Sequence, residues 1–242
     1  MQITPLMKMA NVIQMNHMLI PVMQRFGINL GFGDKTVEEV CKFYDVDLSF
    51  FLNLTNAYHD KEYFPTQELQ NIPVHSIVNY LKKTHSCYLT EKLIDIESLI
   101  HLLENEKSDD KKHITLIKNF FDGYRNELRE HIMREEDVVF PYILTISKVI
   151  REQKITSDSK KILDSYSMDT FLSEHDDIEE KLFDLKTIMI RYLTPPRNVN
   201  IYNKIVQELF MLEEDLNYHS RIEEKVLIPK VEYMERVVKK LL

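Results

Sequence analysis

The sequence predicts an all-α protein, an up-down-up-down four-helix bundle preceded by a small helical domain. Three observations carry that expectation. The 242 residues contain only 4 Gly and no Trp against 29% charged residues, a composition suited to long helices and not to sheets with tight turns. From residue 73 onward, four long stretches alternate with three polar breaks. An eleven-residue frame, H-x-x-x-E-E-x-V-x-x-P, occurs twice, as HIMREEDVVFP from His131 and as HSRIEEKVLIP from His219.

Residues 1–58 read as short helices broken by turns. A first segment follows Thr4-Pro5, and three of the four glycines then fall in one break, GINLGFG from Gly27. Thr36 is placed to N-cap the next helix, with Glu39 three residues on to complete a capping box. Residues 59–72 are polar, lose periodicity and read as a linker. The bundle domain is then 73–242, with helical segments over 73–105, 113–150, 167–193 and 200–239. NEKSDDKK, REQKITSDSK and TPPRNVN supply the breaks. Such helices are roughly 40 to 60 Å long, and short connections make sequential neighbours antiparallel.

Composition also excludes classes of partner. The formal charge is −8, with 31 Lys and Arg scattered among 39 acids, so no basic surface for nucleic acid is expected. The most apolar short run, MLIPVM from Met18, is far below the roughly 20 residues of a membrane span. Cys41 and Cys87 are the only cysteines, and no basic-then-apolar leader is evident, so a soluble protein of a reducing cytoplasm is expected.

The repeat places a nitrogen and a carboxylate one helical turn apart on the same face, His131 with Glu135 and His219 with Glu223. Pro141 and Pro229, ten residues after each histidine, are expected to bend both helices alike. His85 and His175 fall on the other two helical stretches. The spacings His85–His131, His131–His175 and His175–His219 are 46, 44 and 44 residues, with midpoints at Ser108, Gln153 and Arg197, one in each break. In antiparallel hairpins, positions equidistant from the turn share a level, so all four histidines are expected at one height. Four imidazoles and two carboxylates converging in a bundle suit a pair of borderline metals, iron, zinc or copper, with Glu135 and Glu223 as bridges and the histidines as terminal ligands. Coordination positions are left for water, an oxo bridge, dioxygen or nitric oxide.

Taken singly, each histidine has a plainer reading as a hydrogen-bonded core residue, and each i, i+4 pair as a surface pair. The joint pattern favours the metal site. Glu136 and Glu224 sit about 100° further round the helix, as solvated acids or as partners of the ligands. His101 is expected on the surface, about 160° from His85. His17, His59, His75 and His113 are read as structural, and Cys87 as a buried, inert thiol.

One histidine on the first bundle helix, H-x-x-x-E on the second, one histidine on the third and H-x-x-x-E on the fourth resembles the hemerythrin-like family. Within it the pattern is similar to the di-iron proteins for repair of iron centres, the iron–sulfur cluster repair proteins associated with nitrosative and oxidative stress. The resemblance covers about residues 73–242 and implies two iron ions, oxo- and carboxylate-bridged, held by His85, His131, Glu135, His175, His219 and Glu223. Oxygen-carrying hemerythrins usually have a further histidine where Glu179 stands and end on H-x-x-x-x-D, which makes oxygen carriage the weaker inheritance. QRFGINLGFGDKTVEEVC resembles the repair family's leading domain, but Leu30, Gly31, Phe32 and Gly33 stand where that family commonly has Cys-Cys-Gly-Gly.

Two functions remain open. One is a stress-response protein acting chemically, on nitric oxide or oxygen species or on an iron–sulfur protein client. The other is a non-catalytic sensor or binding module for those diatomic ligands, signalling through the small N-terminal domain.

Overall fold

In the computed structural model, residues 1–105, 111–168, 170–171, 178–194 and 196–240 are described, and among them no β-strand occurs. An isolated bridge pairs Lys8 with Thr36. The chain divides into two compact units, Met1–Lys83 with Glu224–Lys230, and Thr84–Glu223 with Val231–Leu242.

The first unit contains the short helices α1 (Met9–Met15), α2 (Ile20–Arg25), α3 (Val37–Phe43), α4 (Leu48–His59) and α5 (Thr66–Gln70), and most of α6 (Val74–Cys87). Helix α3 starts at the expected capping box: Thr36 accepts from the Glu39 N–H, and Glu39 accepts from the Thr36 N–H. The glycine-rich break is a turn with positive φ at Gly27, Gly31 and Gly33. Phe26 meets Phe50, Phe51 and Tyr80, each at a ring separation of 5.3 Å, so aromatic edges knit α2, α4 and α6 together. Buried Arg25 donates to the Tyr58 hydroxyl at 2.9 Å. Residues 59–72, expected as a linker, include α5, where Gln70 donates to the Val226 carbonyl at 2.9 Å.

The second unit continues from α6 through a π turn, Tyr88–Lys92, into α7 (Leu93–Glu104). Then come α8 (Lys111–Arg134), a π turn at Glu135–Val139, α9 (Phe140–Glu152), α10 (Ser157–Ser165), α11 (Ile178–Arg191), α12 (Val199–Ile222), a π turn at Glu223–Leu227 and α13 (Ile228–Lys239). Helix α7 packs on α8 and α12, and α11 packs on the same two. Their inward faces carry Ile96, Phe121, Leu182 and Leu209, all fully or almost fully buried, in one continuous core.

One difference from the sequence expectation has a local cause. REQKITSDSK was expected to be a break, yet it leads into α10, because Thr156 and Ser159 cap each other's backbone N–H groups and start a helix. Pro141 and Pro229 each follow a π turn. Proline has no N–H and crowds the carbonyl four residues back, and a locally wider turn relieves both problems. The Phe140 N–H accordingly bonds back five residues, to the Glu135 carbonyl.

Candidate metal centre

His85 comes from the last turn of α6, His131 from the end of α8 and His219 from the end of α12, while Glu135 and Glu223 each open a π turn. Each of these side chains thus lies at or beside a departure from regular α geometry, a recurrent feature of functional sites.

His85, Glu135, His219 and Glu223 converge, with one ligand atom from each lying within 4.8 Å of all the others. His85 Nε2 lies 3.1 Å from Glu135 Oε2 and 3.3 Å from His219 Nε2. His131 Nε2 lies 3.2 Å from Glu135 Oε1, and His219 Nε2 lies 3.1 Å from Glu223 Oε1. The two oxygens of Glu135 therefore face two different histidines, the disposition a bridging carboxylate needs. His85, Glu135 and Glu223 are each 1% exposed and His219 5%. His175 lies outside the described residues, as do the Ser108 midpoint and the Glu179 side chain.

The electrostatics are those of a site with too many acids for the charge around it. Burial pushes Glu135 up, but the rings of His131 and His85 within hydrogen-bond reach, and the charge of His131 and His219, hold its carboxyl far below the usual range. Burial pushes Glu223 well above the ordinary value, and the Glu135 charge adds to the shift. Burial works against a charged His131, yet Glu135 and then Glu223 raise its pKa above the ordinary histidine value. Both Glu135 oxygens and Glu223 Oε1 are buried, and each faces an imidazole nitrogen at 3.1 to 3.2 Å. Buried carboxylate oxygens facing imidazole nitrogens fit a transition-metal cation.

Around this cluster, Phe140 stacks on His85 with centroids 5.5 Å apart and planes 10° apart, and the Tyr88 ring meets His219 edge-on at 6.0 Å. Neither was singled out from the sequence, although a phenylalanine directly before the repeat's proline was a usable signal. Glu136 accepts from His85 Nδ1 at 3.1 Å, so of the two readings of that residue the structure selects a partner of a site histidine. His101 is 49% exposed, as expected, and pairs with Glu104. Cys87 is half-buried, 3.8 Å from a Glu91 oxygen, and not the fully buried thiol expected.

An all-helical chain whose buried histidines and carboxylates suit a transition metal defines the class of protein. Iron-sulfur cluster repair protein ScdA from two strains of Staphylococcus epidermidis is 21% identical to it over 187 residues, 77% of this chain and 80% of the relative. ScdA of Staphylococcus haemolyticus is 18% identical over 215 residues, 86% of this chain and 90% of the relative. The chain is a distant relative of these iron–sulfur cluster repair proteins. No family model matches it.

Proposed function

We propose that this is a hemerythrin-like di-iron protein of the nitrosative and oxidative stress response, acting in the cytoplasm in repair of iron–sulfur centres or in redox handling of nitric oxide and dioxygen. The observation that carries this reading is the convergence of His85, Glu135, His219 and Glu223 within 4.8 Å, almost wholly shielded from solvent. His131, on Glu135, and His175 complete the ligand set. Iron bound there would supply one-electron chemistry and a Lewis-acid centre for small diatomic ligands.

The chain's own residues orient and shield the site. Glu135 spans His85 and His131, Phe140 covers one face of His85, and the helix cores on either side exclude water. The four-helix bundle is supported by the packing of α7 and α11 on both α8 and α12. An iron–sulfur protein client is supported by the name that the relatives carry. Residues 1–58 would form the small leading domain, joined by 59–72 to the bundle of 73–242.

Elemental analysis of iron-reconstituted protein tests the centre: about two iron ions per chain are expected from a bundle of this ligand type, and no more than one overturns it. The second reading, a non-catalytic nitric oxide or oxygen sensor, is favoured by Leu30, Gly31, Phe32 and Gly33, a turn without thiols. Counting turnovers of the reduced protein with nitric oxide and with oxygen separates the two, since a sensor stops at stoichiometric capture.

A further inference from the structure

We infer that Glu136 is a positioning residue for the metal centre, its carboxylate holding the Nδ1 proton of His85 so that the Nε2 lone pair faces Glu135, Glu223 and His219. The inference rests on the metal centre proposed above. Glu136 Oε1 lies 3.1 Å from His85 Nδ1, and an ionised carboxylate can only accept, so the ring donates at that nitrogen. A neutral ring protonated at Nδ1 has its lone pair at Nε2, the atom 3.1 Å from Glu135 Oε2 and 3.3 Å from His219 Nε2. A carboxylate behind a ligating histidine fixes the ring's tautomer and orientation and raises its basicity.

The backbone explains how neighbours in sequence do this. Successive residues of an α-helix point about 100° apart. Here Glu135 and Glu136 instead reach opposite nitrogens of one imidazole, and Phe140, at the far end of the same π turn, lies flat against that ring. One short segment thus fixes the ring at both nitrogens and on one face. The Glu136 side chain is 36% exposed, but a merely solvated acid has no reason to bond a histidine that is 1% exposed.

The test uses full-length protein with ¹⁵N-labelled histidine, wild type against E136Q and E136A, followed by NMR in the metal-free and zinc-loaded forms. Zinc affinity is measured by competition. In wild type, His85 Nδ1 is expected to carry a slowly exchanging proton in both forms. E136A should lose that protected signal and bind zinc roughly 10–100-fold more weakly, the usual cost of removing such a partner. E136Q keeps an accepting oxygen and nearly the same shape, so it should retain the signal and recover most of the affinity. An unchanged melting temperature of the metal-free variants separates this from misfolding. Signal and affinity both unchanged in E136A overturn the inference, as does a lost signal with unchanged affinity, or a zinc-loaded wild type protonated at Nε2. Should wild type bind neither zinc nor iron, the metal centre itself falls, while the metal-free spectra still report whether Glu136 holds the ring.

Discussion

His85 Nε2 and His219 Nε2 stand 3.3 Å apart, although 134 residues separate them in the chain. Two ring nitrogens at that distance repel if both carry protons and repel if neither does, so they must share a proton or face a common cation. With Glu135 Oε2 3.1 Å from the same His85 nitrogen, a cation resolves the conflict for all three groups at once.

Glu135 should therefore matter more than any single histidine. Its two oxygens face His85 and His131, whereas His131 meets only one of them through Nε2. Glu135→Ala is expected to weaken iron binding by more than roughly 100-fold, beyond the range of outer-shell changes. His131→Ala should cost less. Iron stoichiometry against free iron concentration measures both, and equal, minor losses would show that Glu135 only supports the ligands.

A trade between stability and metal binding is expected at Glu223. Its pKa in the folded protein is raised by burial and by the Glu135 charge, so in metal-free protein its favourable contribution is complete below the ordinary carboxylate value and is lost as pH rises through the folded one. Glu223→Gln removes that loss. The metal-free variant should gain about 1 kcal/mol over wild type at mildly alkaline pH, roughly 2–4 °C in Tm for a chain of this size. The gain should vanish in acid, and iron binding should be impaired at every pH. Thermal melts across the pH range with chelator present check the sign, and a variant less stable than wild type in alkali contradicts it.

The helix ends near the site were legible because turn chemistry is local. Gln153, midway between His131 and His175, takes a left-handed φ of 49° and ends α9, and Arg197 falls between α11 and α12. The two His–Glu pairs were legible because i, i+4 spacing survives up to the first residue of each π turn. Beyond that residue the sequence left Glu136 between a solvated acid and a partner of the site, and its bond to His85 decides for the partner. The rotation expected for Glu136 assumed a regular helix, and the wider turn after Arg134 brings its carboxylate to His85. Nor did the sequence mark the π turn at Tyr88–Lys92, which contains no proline to call for one.

The two cysteines should differ sharply as nucleophiles. Burial, with Asp47 adding to it, pushes the Cys41 thiol up to about 12, whereas Cys87 is half-buried. At about pH 8 only roughly one Cys41 in ten thousand is thiolate, and the thiolate is the reactive form. Alkylation of native protein followed by peptide mass spectrometry should label Cys87 first, and Cys41 only at the rate of unfolding. Rapid labelling of Cys41 would mean that α3 opens locally.

The glycine turn that the resemblance aligns with a cysteine pair makes the last prediction. Leu30 is 63% exposed and Gly31 has φ of 104°, with nothing within 4 Å of an added Cβ. Any cost of a side chain at Gly31 is therefore backbone strain and not crowding. Gly31→Ala should destabilise the protein by about 1–2 kcal/mol, seen as a lower denaturant midpoint, while Leu30→Cys should be nearly neutral. Neither should change iron content, because the buried His/Glu cluster proposed to hold it lies at His85 or later. A Cys introduced at Gly31 would carry the same strain as Ala, so placing a thiol pair here requires the turn to rebuild. A neutral Gly31→Ala would show that the turn already samples a negative φ and has room for that change.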